Sequence, residues 1–308
     1  LCRPLAFQYL NEIVTKPSYE PWICEETSEQ VEVEVELGQK DLELCVNDLV
    51  HAAAYRLSPM AHSLLCPRDM LGVHSSEMLQ QFSHEHLIAK SNALVGVGVE
   101  HDLLMYLASE ILSLAEGDPS KPVPAVYYGG ERFQETNSSQ TYFALAHHGV
   151  SLKEPKDAIC QILLCRILSD KSRTVLKDGG QSRLMKAFGK YNFKPFEVSS
   201  LNYLYSDTGL FGVSGSCHAS DSHDFILAVM NELELFGEKE PSKKELDLAK
   251  QKVIADLIMQ SENMKQFSQN FATQVIERKH DVFTNDEITK LVESIQPSDM
   301  VQVRDLSV

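Results

Sequence analysis

Along the second half of the chain the apolar positions fall into two alternating runs joined by a turn. Residues 198–205 interleave β-branched and aromatic residues with small polar ones, and 210–213 form a shorter, more apolar run. Between them Ser206-Asp207-Thr208-Gly209 has turn chemistry: Ser and Asp bond their own backbone, and the glycine is expected to supply a positive φ. This predicts a hairpin within a sheet. Around it the pattern predicts strands near 125–133 and over 140–148. It predicts a strongly apolar helix over 155–168, a polar loop over 169–180 and a short helix over 181–188. Downstream, 222–236 reads as a helix with Phe225, Ile226, Val229, Leu233 and Phe236 inward. Ser242-Lys243-Lys244-Glu245 and Thr284-Asn285-Asp286-Glu287 are capping boxes. The first opens a helix to about 262; a further helix covers 263–279, and Pro297 starts a last short one.

The first third is more helical. Residues 5–14 end a helix before Pro17, and 42–56 have helical spacing with an alanine run. Val31-Glu32-Val33-Glu34-Val35-Glu36 alternates with period two, which leaves strand and helix both open. Residues 75–87 form an amphipathic helix with Met78, Leu79, Phe82 and His86 on one side. Asn92 to Val99 is a nearly continuous apolar run of strand length, expected as a buried strand whose glycines admit close packing. Another amphipathic helix covers 101–114. Residues 116–124 hold three prolines within six positions, so a linker is expected there. Strands followed by several helices indicate an α+β architecture, a mostly antiparallel sheet with helices on one face.

Composition changes this picture little. The 308 residues suffice for two domains, and no apolar run is long enough to span a bilayer as a helix. The formal net charge of −16 argues against a nucleic-acid partner, which needs a basic face. Residues 1–116 carry 6 Lys/Arg against 18 Asp/Glu; the remainder carries 22 against 26. Such an acidic first part is read as a solvated face. Seven scattered cysteines indicate reduced thiols, with Cys160 and Cys165 as core filler.

Eleven histidines invite a search for metal chemistry. His74-Ser75-Ser76-Glu77-Met78 is one residue short of His-x-x-Glu-His, in which two imidazoles one helical turn apart grip zinc and the glutamate is the base. Met78 stands where the second ligand belongs, and its expected place is the buried helix face. His84 and His86 are too close in sequence to share a helix face, and are expected at a solvated helix end. His147 and His148 point to opposite faces of a strand. Cys217-His218 is isolated. Gly96-Val97-Gly98 is no phosphate loop, because no helix N-terminus follows at the needed place. No catalytic, cofactor-binding or metal-ligating residue is therefore assigned.

Three segments carry a resemblance. His51-Ala52-Ala53-Ala54-Tyr55-Arg56, then Ser63-Leu64-Leu65-Cys66-Pro67, then residues 92–99 resemble the first unit of the pitrilysin-type, inverted-zinc metallopeptidase superfamily. Tyr205-Ser206-Asp207-Thr208-Gly209-Leu210-Phe211-Gly212 and Tyr128-Gly129-Gly130-Glu131 resemble its second unit. The resemblance implies two similar α+β units, each a mixed, largely antiparallel sheet with helices packed on one face. Residues 1–115 would be the C-terminal half of the first, truncated at its N-terminal half. Residues 116–124 would be the linker, and 125–308 the second unit without its last strand. It also implies a helix rather than a strand over 31–36. Active members carry His-x-x-Glu-His and a further downstream glutamate. Glu34 falls roughly at that downstream place, yet one carboxylate does not hold zinc. The resemblance is to the non-catalytic core-protein branch of the superfamily, found in respiratory complex III. It implies a structural role, with core protein 1 and cytochrome b as partners in a dimeric complex, peripheral on the matrix side of the mitochondrial inner membrane, and no cofactor. The alternative is a non-catalytic, presequence-recognising subunit of a processing peptidase. That branch has a glycine-rich loop where 169–180 holds only Gly179 and Gly180.

Overall fold

The structure is a computed structural model that describes residues 2–118, 121–169, 182–188, 191, 193–238, 240–278 and 282–301. The expected loop over 169–180 lies almost wholly outside them. The chain is divided between two compact units, 1–40, 65–122 and 259–283 in one, 41–64, 123–258 and 284–308 in the other.

The first unit is helical. It contains α1 (Cys2–Thr15), α2 (Pro21–Lys40), α4 (Ser76–His86), α5 (His101–Ile111) and α10 (Met264–Arg278). Helix α2 settles residues 31–36 as helix, with only Val35 buried among them. Two expectations fail here. Residues 92–99 join no strand among the described residues. Gly98 takes a φ of +72°, which bends the run, and the isolated bridge of this unit joins Ile88 to Ala115 instead. Gly96 does admit a close neighbour, since a Cβ there would lie 3.0 Å from the Leu104 side chain of α5. The inward face expected of α4 is also open. Met78 is 49% and Phe82 63% exposed, so Met78 is not on a buried face.

The second unit is built on a three-stranded antiparallel sheet, β1 (Gln140–His148), β2 (Glu197–Leu204) and β3 (Gly209–His218), in the order β1-β3-β2. Strand β3 runs five residues beyond the expected end at Val213. It is central, and Ser214 to Ser216 are held by ladders on both sides. The hairpin between β2 and β3 forms as expected, but Gly209 takes no positive φ. Close approach explains it: a Cβ there would lie 2.2 Å from the Val150 carbonyl oxygen.

Period-two alternation splits the sheet residues between two faces. One face holds Phe143, Val198, Phe211, Val213 and Cys217 against α6 (Pro155–Leu168), α7 (Arg183–Phe188), α8 (Ser222–Glu238) and α11 (Asn285–Ser294). Helix α6 contributes Leu163 and Leu164, and α8 contributes Phe225 and Val229, all essentially inaccessible. Phe225 meets Phe188, Phe193 and Phe196 at ring distances of 5.0–5.2 Å. Both capping boxes form. Ser242 exchanges bonds with Glu245 at the start of α9 (Lys243–Glu262), and Thr284 does so with Glu287 at α11.

The opposite face holds Ala144, Ala146, Leu201, Leu210 and Tyr203. Helix α3 (Leu42–Tyr55) covers it through Val50, Ala54 and Tyr55. The strand expected over 125–133 is absent. Instead the N–H groups of Tyr128 and Gly129 donate to the Ala54 carbonyl at the end of α3, at 2.7 and 3.2 Å. The segment is thus pinned as an arm on a helix terminus, whose last carbonyls have no partner within the helix.

Candidate functional site

Within the second unit, several polar side chains meet at the tip of the β2–β3 hairpin. Strand alternation puts Tyr203 and, beyond its end, Tyr205 on the α3 side, their rings 6.3 Å apart and nearly parallel. Helical spacing of four puts His51 and Tyr55 on the facing side of α3. The His51 Nδ1 lies 2.7 Å from the Asn47 carbonyl oxygen, and its Nε2 lies 2.6 Å from the Tyr205 hydroxyl. A carbonyl only accepts, so Nδ1 carries the proton in neutral His51 and Tyr205 donates to Nε2.

One turn on, the Tyr55 hydroxyl reaches Thr208 Oγ1 and the Gly209 carbonyl, each at 3.3 Å. Thr208 Oγ1 also lies 3.3 Å from His148 Nε2 at the end of β1, and the His148 ring rests 5.1 Å from that of Tyr127 in the arm. The Asp207 carboxylate accepts from the Ala125 N–H at 2.8 Å. Backbone bonds complete the tie: Gly149 N–H to Gly209 O and Leu152 N–H to Tyr205 O, both 2.8 Å. Three segments far apart in sequence, α3, the arm and the end of β1, therefore meet at the hairpin tip.

Burial pushes the Tyr205 phenol up to about 12, with Tyr55 and Tyr203 adding to it. Burial also raises Tyr55, Tyr203 and Tyr127. Each phenol is thereby held in its protonated form, as a hydrogen-bond donor.

The histidines singled out above are placed apart. His74 lies exposed in the loop before α4, and His84 and His86 are exposed near its end. Glu34 is exposed on α2. His218 caps a short helical turn by accepting from the Ser220 N–H. His148 joins the hairpin cluster while His147 faces the other way, as alternation requires. Among the described residues no group of three or more His, Cys, Asp or Glu could hold a metal ion. The sequence reading missed His51 and Tyr55. Their four-residue spacing on one face of α3 was the available signal.

Beside the cluster, a groove of about 660 Å³ runs between α3, β1 and the arm, and a smaller one of about 300 Å³ is lined by Ser199, Ser200, Ser214 and Ser216 with Glu43 and Glu197.

The family model described as "Peptidase M16 inactive domain" matches residues 75–253, and that of "Insulinase (Peptidase family M16)" matches residues 3–68. The chain is 27% identical over 273 residues to human "Cytochrome b-c1 complex subunit 2, mitochondrial", covering 88% of this chain and 60% of that protein. It is 24% identical over 292 residues to the potato (Solanum tuberosum) "Mitochondrial-processing peptidase subunit alpha", covering 89% and 55%. The chain thus spans about 60% of the length of the human relative. In fold it matches a chain of complex III2 from Candida albicans with Inz-5 bound, at a TM-score of 0.84 and 17% identity over 99% of this chain and 73% of that one. Because the inactive-domain model spans more than half of its residues, this chain belongs to peptidase family M16.

Proposed function

We propose that the chain is a non-catalytic structural subunit of mitochondrial ubiquinol–cytochrome c reductase, in the role of core subunit 2, needed for assembly of that complex. The observation that carries this reading is the likeness to the human cytochrome b-c1 subunit 2 along 88% of the chain. The polar cluster at the hairpin tip suits it, since its hydrogen bonds tie α3, the arm and β1 together. In this reading the chain has no catalytic, cofactor or metal residues. Its partners are core protein 1 and cytochrome b within a dimeric complex, on the matrix side of the inner membrane. No helix among the described residues is long and apolar enough to cross a membrane, which suits a peripheral place. Residues 1–115 and 125–308 would then correspond to two peptidase-like units joined by 116–124.

The test is a native gel of mitochondrial membranes carrying a tagged chain. The tag should migrate with ubiquinol–cytochrome c reductase activity, and depletion should lower the assembled complex. A tag that runs apart from that activity removes the proposal.

A second reading, a non-catalytic presequence-recognising subunit of the processing peptidase, draws on the likeness to the potato alpha subunit over 89% of the chain. Presequence cleavage restored by mixing the chain with a catalytic beta subunit would favour it.

A further inference from the structure

We propose that Ser220 is a phosphorylation site, and that Lys194 and His218 form the receptor for its phosphate. The inference goes beyond the role in assembly and does not depend on it.

The site lies where the second unit turns from β3 into α8. Strand β3 ends at His218, residues 219–221 form a single helical turn, and α8 starts at Ser222. The Ala219 N–H donates to the Ser139 carbonyl at 2.9 Å, which fixes this corner against the lead into β1. Ser220 is exposed at the corner. Lys194, also exposed, comes from the segment leading into β2, 26 positions away. Its Nζ donates to Ser220 Oγ at 2.8 Å and lies 3.4 Å from His218 Nδ1. That Nδ1 lies 2.9 Å from Ser220 Oγ and accepts from the Ser220 N–H at 3.2 Å.

The hydroxyl is over-subscribed. It has one proton and two acceptors within reach, His218 Nδ1 and, at 2.6 Å, Asp221 Oδ1. A phosphate at this position removes the competition, because its oxygens only accept. Lys194 Nζ, the Ser220 N–H and a protonated His218 Nδ1 already converge there as donors. Within the cluster, two cations then face the phosphate and one carboxylate. Asp221 loses the hydroxyl but keeps the Lys194 N–H, at 3.4 Å. Placement just ahead of α8 adds the favourable end of the helix dipole. The neighbouring Ser222 has none of this: its hydroxyl donates to the Ala219 carbonyl at 3.0 Å, and no cation is bonded to it among the described residues.

Asp221 and Asp224 follow the target, which suits a protein kinase that selects acidic residues on that side. In the transfer, Ser220 Oγ bonds to the γ-phosphorus of a nucleoside triphosphate. The bond to the nucleoside diphosphate breaks, and the hydroxyl proton goes to the catalytic base of the kinase.

Two measurements test the proposal. Phosphopeptide mass spectrometry of the native chain, purified with phosphatases inhibited, should find phosphate on Ser220. Phosphate on Ser222 alone, or on neither, overturns the modification. For the receptor, the whole chain is made with phosphoserine incorporated at 220 and followed by phosphorus NMR against pH. An unperturbed phosphoserine loses its second proton near about pH 6. Here the midpoint should lie about one pH unit or more lower, since neighbouring cations favour the dianion. Lys194→Gln in the same chain should move it back toward 6. A midpoint that is not lowered, or one that Lys194→Gln leaves in place, overturns the receptor.

Discussion

Nε2 of His51 lies 2.6 Å from the Tyr205 hydroxyl, across 154 positions of sequence. One bond thereby joins α3 to the hairpin tip on which β1 and the arm also end. Tyr205→Phe removes the hydroxyl and leaves a half-buried imidazole nitrogen without its donor. The expected loss is about 1–2 kcal/mol of unfolding free energy, somewhat above the mean for one hydrogen bond because a partner is stranded. His51→Ala removes the same bond from the other side. In a double-mutant cycle by urea denaturation the two losses should not add, with a coupling of about 1 kcal/mol. Additive losses would show that the bond contributes nothing to the folded state.

At the start of α9 a second interaction governs the response to acid. Arg183 donates from Nε and Nη2 to the two oxygens of Glu245, both at 3.0 Å, and the Ser242 N–H and hydroxyl also donate to that carboxylate. The Arg183 bonds, chiefly, hold the Glu245 carboxyl down at about 2 from its ordinary 4.5. A folded-state value below the unfolded one means the contribution is complete above about pH 4.5 and is lost as pH falls toward 2. The pair lies near the surface, so screening reduces its worth to about 1 kcal/mol. Glu245→Gln should therefore cost about that much at pH 7 and much less at pH 2. Unfolding midpoints measured at both values check it; a cost that stays level between them would contradict the assignment.

These two cases show what was legible in the chain. The capping boxes at Ser242 and Thr284, the apolar helix over 155–168 and the hairpin rest on neighbours within a few residues, so local pattern suffices. Residues 92–99 and 125–133 read as strands because their side chains suit a sheet. A strand also needs a partner backbone, and local pattern carries no information about that. Gly98 bends the first run, and the end of α3 captures the second. The cluster at the hairpin tip was illegible for the same reason: His51, Tyr127, His148 and Thr208 meet only in space. Met78 and Phe82 have helical spacing that marks an inward face, but spacing does not say whether anything lies against it.

The centre of the sheet makes a sharper demand on size. A Cβ at Gly212 would stand 1.9 Å from the Leu145 carbonyl oxygen, with further backbone atoms within 2.9 Å. No side-chain rotation relieves a clash with backbone, so Gly212→Ala must push β1 away from β3. A loss of at least about 3 kcal/mol is expected, or failure to fold. Gly98 is the matched control. It has a φ of +72° but open space around it, so Gly98→Ala meets only backbone strain of about 1 kcal/mol. Thermal melts followed by circular dichroism should separate the two clearly, and equal losses would refute the steric account.

Leu163 tests whether α6 is the keel of the second unit. Its side chain has no accessible surface and sits in the cluster shared by the sheet, α8 and α11. Leu163→Ala removes three carbons from a close-packed region that cannot fully collapse. The expected cost is about 3 kcal/mol, from lost burial plus the cavity left behind. Val33 on α2 is also an aliphatic helix residue, but it is 56% exposed, so Val33→Ala should change stability by less than about 0.5 kcal/mol. If Leu163→Ala proved as mild as Val33→Ala under guanidinium denaturation, α6 would have to be loosely packed. The buried Ile159, Leu164 and Leu168 beside it argue that it is not.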